Sequence, residues 1–345
     1  MKPSADDYIR QIDYLRSLKI KDNDDNLIKY FDIQNGSSFE EVFNNFFTIF
    51  QYFFSKEKSK YNYSEPYLAF IDDEGINAFA GKTDDISIIG INADTIRELH
   101  QLFIGIDLGS ILSGNLNKYR IMEEIGQEDF VNKLYYNCQM FIFFHEFGHI
   151  VQNIDGSSNF QNEMADNANY SEIQHLKEYD ADQFAAIHMA SLTGHWMEGL
   201  KGELREQYYN REVAEMLLAI TCSSIFITYL IFQSGTKDFY TNKWSHPHPS
   251  IRAGYILNTI VDAFKKHNKA GFEIDHKVIF NDAFEITKRV VTDASVRGVI
   301  FQSEDDFNQF YEIWQNKRNE IQAYFDSLHE LSQSTSGLAW SRLAS

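Results

Sequence analysis

Two histidines four residues apart, with a glutamate between them, stand in Phe143-Phe144-His145-Glu146-Phe147-Gly148-His149-Ile150. On an α-helix, residues i and i+4 share a face, so His145 and His149 can aim two imidazoles at one cation. Glu146 sits one step around the helix, close enough to hold a metal-activated water without being a ligand itself. This is the His-Glu-x-x-His arrangement of zinc peptidases, in which the glutamate acts as general base.

A catalytic zinc needs a third protein ligand and one open position for water. Downstream, the candidates are Glu163, Asp166, His175, Glu178, Asp180, Asp182 and His188. Helical spacing favours Glu178-Tyr179-Asp180-Ala181-Asp182-Gln183-Phe184-Ala185, where Glu178 and Asp182 share a face beside Ala181 and Ala185. The small alanines would let this helix approach the histidine helix closely enough for Glu178 to reach the ion. Asp182, one turn on, would accept the spare ring N–H of a liganding histidine, which fixes its tautomer. The bland reading of these acids is a solvated helix face. His175, one turn before Glu178, is the rival ligand. His100, His188, His195, His267, His276 and His329 read as surface or satisfied core residues.

Those residues need elements to carry them. The central helix is expected from about Asp129 to Gln152, preceded by two or three short strands between Tyr67 and Ile91 and a helix over 93–103. Residues 105–127 read as loop with short helical pieces. A polar, Asn-rich connection over 153–171 leads to a helix from Glu172 to Leu192, with a break at Gly194 to Gly202. A long apolar helix follows over 211–232. Another starts at Pro249, just after Ser245-His246-Pro247-His248. The tail reads as amphipathic helix over 277–291 and 305–331, with the last dozen residues frayed. The aromatic stripe Phe43, Phe46, Phe47, Phe50, Phe53 and Phe54 in an otherwise helical N-terminal region reads as core. No internal repeat or linker is visible.

The chain has 345 residues, 43% of them apolar, and only 4 prolines, which suits a folded, helix-rich protein with ample core. Its formal charge of −19 repels phosphate backbones, so nucleic acid is not an expected partner. Cys138 and Cys222 lie in apolar helical patterns and read as reduced core thiols. No signal peptide is visible at the start. Residues 216–232 carry no charge but fall short of a full membrane span, and read as a buried helix. The expected location is cytoplasmic, with membrane association through 216–232 as the alternative.

Four motifs in order resemble the gluzincin metallopeptidases of the HtpX heat-shock protease and CAAX-prenyl-protease family. They are Asn77-Ala78-Phe79-Ala80, His145-Glu146-x-x-His149, Glu178-x-x-Ala181-Asp182-x-x-Ala185, and His246-Pro247 with Arg252 six residues after the histidine. The resemblance implies one Zn2+ held by His145, His149 and Glu178, and Glu146 as catalytic base. It also implies Asp182 behind the ligands, His246 and Arg252 as active-site support, and substrate held by Asn77, Ala78, Phe79 and Ala80. The tandem His-Pro lets His248 replace His246 in that role. The usual members are membrane-embedded, and the first sixty and last eighty residues of this chain have no counterpart in them. A second resemblance, resting on the zinc motif and a cytosolic context, is to the Lit phage-exclusion protease.

The expected fold is therefore α+β and mostly helical. A zincin-like metallopeptidase core over 66–268 would carry a small β-sheet, with helical extensions over 1–65 and 269–345. The expected activity is zinc-dependent endopeptidase action on a protein or peptide. The alternatives are a catalytically silent zincin-fold regulatory or binding protein, and a host-defence protease with one intracellular target.

Overall fold

The computed structural model describes residues 5–21, 26–33, 39–57, 60–61, 65–82, 85–125, 129–152, 160–162, 170–232, 238–244, 246–267, 270–299 and 304–339. It is mostly helical with one small mixed sheet, an α+β arrangement. The chain opens with α1 (Ala5–Leu18) and α2 (Glu40–Glu57). On α2 the residues Phe43, Phe46, Phe47, Phe50 and Phe54 are buried, as their spacing predicts. Phe50 stacks on Phe143 at 4.5 Å, and Phe54 meets Phe147 edge-on at 5.8 Å. The stripe thus packs against the helix that carries the paired histidines, in the same apolar core as the rest of the molecule.

The sheet contains β1 (Glu65–Ile71), β2 (Ala78–Lys82), β3 (Ile86–Asn92) and β4 (Phe160–Asn162), in the order β1-β3-β2-β4. β1 and β3 are parallel, with Glu65 opposite Ile86. β2 runs antiparallel to β3, with Ala78 opposite Ile91. Every residue of β3 is buried, which explains its isoleucine-rich, non-alternating sequence. Gly90 lies under the Phe79 ring, where a Cβ would collide with the ring carbons. β4 was not expected: it comes from the polar 153–171 connection and pairs antiparallel with β2, Ala80 opposite Gln161. The rest of that connection, 153–159 and 163–169, lies outside the described residues.

After β3 come α3 (Ala93–Phe103), the short α4 (Leu108–Ile111), a 3-10 turn over Gly114–Arg120 and α5 (Ile121–Ile125). Then α6 (Phe130–Val151) begins at Asp129, whose side chain accepts the Asn132 N–H as an N-cap. α7 (Glu172–Gly199) runs straight through Gly194 instead of breaking there. One helical glycine costs only ~1 kcal/mol, and buried Thr193 and Met197 hold this end of the helix. The short α8 (Gly202–Tyr208) follows, in a stretch to which the sequence pattern assigns no element.

α9 (Arg211–Phe232) is long and apolar enough to cross a membrane, but it is buried over nearly its whole length. It packs against α6, α7, α10 (Pro249–His267) and α11 (His276–Val296), as a core helix does. Three of its hydroxyls are satisfied within the helix: Thr221 donates to the Leu217 carbonyl, Ser224 to Ile220 and Thr228 to Ser224. The tail helix predicted over 305–331 is two, α12 (Glu304–Asn316) and α13 (Arg318–Ser334), separated at Lys317. The end of the chain is not frayed as far as it is described. Leu338 and Ala339 are buried, and the Ala339 N–H donates to Asp180 of α7 at 2.8 Å.

Candidate metal centre

α6 and α7 touch where both carry their smallest side chains. A Cβ added to Gly148 would lie 3.0 Å from the Ala181 Cα. That close approach brings Glu178, one turn before Ala181, across to the two histidines. His145 Nε2 and His149 Nε2 are 3.1 Å apart. Glu178 Oε2 is 3.4 Å from His145 Nε2, and its Oε1 is 3.4 Å from His149 Nε2. All three residues are buried, and together they form a group able to hold a metal ion.

The hydrogen bonds behind the ligands fix which ring nitrogens face inward. His145 Nδ1 lies 2.8 Å from Asp182 Oδ1, so it is the N–H donor. The Gln152 amide nitrogen donates to the Lys177 carbonyl at 2.7 Å, which turns its Oε1 toward His149 Nδ1 at 3.1 Å. His149 Nδ1 must therefore donate as well, which turns both Nε2 atoms toward the Glu178 carboxylate, with Arg252 Nη2 3.3 Å from that of His145. Two imidazole nitrogens and a carboxylate turned toward one point are a donor set that a bound cation would complete. For a zinc ion with bonds of ~2.05 Å, tetrahedral geometry sets ligand atoms ~3.3 Å apart, close to the 3.1 Å between the imidazole nitrogens and the 3.4 Å from each to one of the two Glu178 oxygens. The donor set of two imidazoles and one carboxylate fits a divalent transition metal.

Asp182 is a hub. It accepts from His145, from Arg252 Nε and Nη2 at 2.8 and 2.9 Å, from Tyr229 at 2.9 Å and from Tyr255 at 2.5 Å. Burial alone would raise its pKa, but Arg252 and His145 outweigh it and hold the carboxyl below its ordinary value. At Glu178, too, burial works against ionisation, and the surrounding His246, His149 and His145 keep the carboxyl well below the usual range. Arg252 also approaches Glu178 Oε2 at 3.4 Å. It is buried, and its guanidinium is committed to Asp182, so it positions that carboxylate instead of projecting into open space.

Glu146 is buried on α6, one residue after His145. His246, more exposed than the three acceptors it faces, lies with Nε2 3.4 Å from Glu178 Oε1. His248 is placed elsewhere: it is buried, its Nδ1 accepts the Ser250 N–H at 3.1 Å, and burial pushes its pKa down to about 4. The two tandem histidines thus take different places, His246 beside Glu178 and His248 at the start of α10. His175, the rival ligand, has both nitrogens engaged, with Tyr324 Oη at 2.6 Å and the Trp244 carbonyl at 2.7 Å. Burial lowers its pKa to about 4. Glu163 and Asp166 lie outside the described residues.

Asn77, Ala78, Phe79 and Ala80 lead into and form β2. The Asn77 N–H and carbonyl are both bonded to the Thr95 hydroxyl, and Ala80 faces β3 on one side and β4 on the other. Over Phe79–Gly81 the strand therefore has a hydrogen-bonded neighbour on each edge. Lys82, at its end, donates to the Gln152 carbonyl at 2.7 Å and ties the sheet to the end of α6.

The Peptidase U49 family matches residues 115–260. That span holds both histidines, Glu146, Glu178, Asp182, His246 and Arg252, and ends within α10. The match supports a peptidase, of the Lit type, and gives no support to the HtpX and CAAX-protease resemblance. The Asn77-Ala78-Phe79-Ala80 motif, on which that resemblance partly rested, falls outside the matched stretch. No curated protein and no solved structure matches the chain.

Three contributors escaped the sequence. Gln152 looked like the end of a helix, Tyr229 like one apolar residue in a buried run, and Tyr255 like an ordinary aromatic on α10. Gly148 did carry a signal, because a glycine inside a helix that faces alanines on another marks a close crossing.

Proposed function

We propose that this chain is a zinc metalloendopeptidase that hydrolyses peptide bonds of a protein substrate. The observation that carries the reading is the convergence of His145 Nε2, His149 Nε2 and a Glu178 carboxylate, mutually 3.1–3.4 Å apart, with Glu146 on the same turn as the first histidine. His145, His149 and Glu178 would hold the ion. When bound, zinc supplies a Lewis acid that polarises a carbonyl and makes water a nucleophile near neutral pH. Glu146 accepts the proton of the attacking water and delivers it to the leaving amine. His246, beside Glu178, would donate a hydrogen bond to the oxygen of the scissile carbonyl as charge develops there. A preorganised donor of this kind is worth ~3 kcal/mol of barrier. Asp182 and Gln152 hold the two imidazoles in the ligating tautomer throughout.

The Peptidase U49 match supports a narrower version, a host-defence peptidase with one intracellular target. The buried, core-packed α9 supports a cytoplasmic protein over a membrane-anchored one. The zincin-like core over 66–268 and the helical extensions are part of the same proposal. The test is metal analysis of the purified chain, followed by mass-spectrometric profiling of a peptide library with and without chelator. One zinc per chain and chelator-sensitive cleavage are expected. Zinc without cleavage in any substrate pool would favour the silent regulatory protein. Absence of zinc would remove both.

A further inference from the structure

A cavity of about 610 Å3 lies between α10, α11, α12 and α13, away from the paired histidines. Its size falls in the ~300–1,000 Å3 range of small-molecule sites. One wall is aromatic: Trp314 packs on Phe284 at 4.9 Å and on Phe280 at 6.4 Å, and the Trp314 and Phe280 rings remain half-exposed. Gly254 also lines it, and a Cβ there would lie 3.3 Å from the Trp314 indole nitrogen, so the missing side chain lets the indole sit close against α10. Lys277 and Arg318 stand at the rim. Both are exposed, and neither is in an ion pair among the described residues. No described carboxylate lines the cavity, in a chain whose formal charge is −19. Two uncommitted cations beside a half-exposed aromatic wall, with acids absent from the lining, select a flat ring that carries a negative charge.

The cavity is also wired to the metal centre. Tyr255 lines it and donates to Asp182, and Asp182 accepts from His145. Arg252, three residues earlier on the same helix, grips the same carboxylate. A ligand that shifts α10 therefore acts on the group that orients a ligating imidazole.

We propose that this cavity binds a small aromatic anion, and that its occupancy changes the affinity of the centre for zinc through Tyr255 and Asp182. The second half rests on the metal reading above, and the first does not. The experiment is calorimetric titration of the full chain, freed of metal, with AMP, 1-naphthalenesulfonate, adenosine and inorganic phosphate. Expected is saturable binding of at least one of the two aromatic anions, one per chain. It should be about tenfold tighter than adenosine or phosphate, since losing one charge-assisted bond costs roughly that factor. Arg318→Gln with Lys277→Gln should weaken it about tenfold with unchanged melting temperature. Absence of saturable binding by both aromatic anions at ~1 mM, or binding untouched by the double substitution, overturns the site.

Zinc affinity is then measured by chelator competition with and without the bound anion. A shift in the wild type that disappears in Tyr255→Phe, which keeps the ring and loses the hydroxyl, supports the coupling. No shift in the wild type overturns it. A chain that binds no zinc overturns the coupling and the peptidase reading together, while the anion titration still decides the cavity.

Discussion

Gly148 of α6 rests on Ala181 of α7, with the position of a Cβ at 148 lying 3.0 Å from the Ala181 Cα and 3.3 Å from its carbonyl oxygen. The atoms it would meet are backbone, which cannot swing aside. Gly148→Ala should gain ~1 kcal/mol of helix propensity yet force the two helices apart. The separation falls directly on the Glu178–histidine spacings. We expect zinc affinity at least tenfold lower with far-UV circular dichroism unchanged, read by chelator competition. Wild-type affinity in this variant would show that the crossing does not set the ligand geometry.

Asp182→Asn keeps the shape of the hub and removes its charge. Arg252 is then left buried without a full counter-ion, and His145 loses the partner that fixes its tautomer. Zinc affinity should fall ~10–100-fold, the usual cost of losing such a supporting bond. Thermal stability should fall as well. Glu178→Ala should lose zinc more completely, since it removes a ligand. Metal content after dialysis against a weak chelator ranks the two.

Glu146→Gln should retain zinc and lose turnover by ~10²–10⁴-fold, because only proton transfer is removed. His246→Asn should also keep zinc and lower kcat, whereas His248→Asn should act on stability, since His248 serves the start of α10. Kinetics and melting curves on the two histidine variants separate the roles. Equal losses of activity without loss of stability would contradict the division.

His188 offers a pH test remote from the metal. It is half-buried between Phe144 and Phe184, with its ring 4.6 Å from each, and desolvation, aided by Lys60 and Lys56, pushes its pKa from 6.5 down to about 3. The unfolded chain takes up a proton here near pH 6.5 and the folded chain does not. Its contribution to stability is therefore complete above that pH and is lost as pH falls from 6.5 toward 3, by up to ~1.4 kcal/mol per pH unit. His188→Gln should flatten the slope of urea stability against pH between 6.5 and 4. An unchanged slope would mean that the imidazole is not held neutral by burial.

What could be read from the sequence was the part with a short repeat. His145 and His149 at helical spacing, Glu178 with Asp182, the isoleucine run of β3 and the start of α10 at Pro249 all declare themselves within a few residues. β4 did not, because three residues carry no periodicity and their pairing is set by distant β2. Tyr229 and Tyr255 were hidden for a similar reason. Each looks like core until the fold brings its hydroxyl to a carboxylate 47 or 73 residues away. The end of α7 was misplaced because packing at Thr193 and Met197 outweighed one glycine. Asn77 to Ala80 resemble a family motif in letters, while Phe79 and Ala80 are paired on both edges by neighbouring strands, which the letters alone do not show.

Four helices send a donor to the Asp182 carboxylate or supply it: α6 through His145, α7 through Asp182 itself, α9 through Tyr229, and α10 through Arg252 and Tyr255. Any change in how these four helices pack is consequently felt at the carboxylate that orients His145. A genetic screen for inactive alleles should return substitutions scattered through the interior of α9 and α10 that behave like lesions of the ligands. Restoring them with excess zinc would mark them as failures of assembly, repairable by mass action, and set them apart from failures of chemistry.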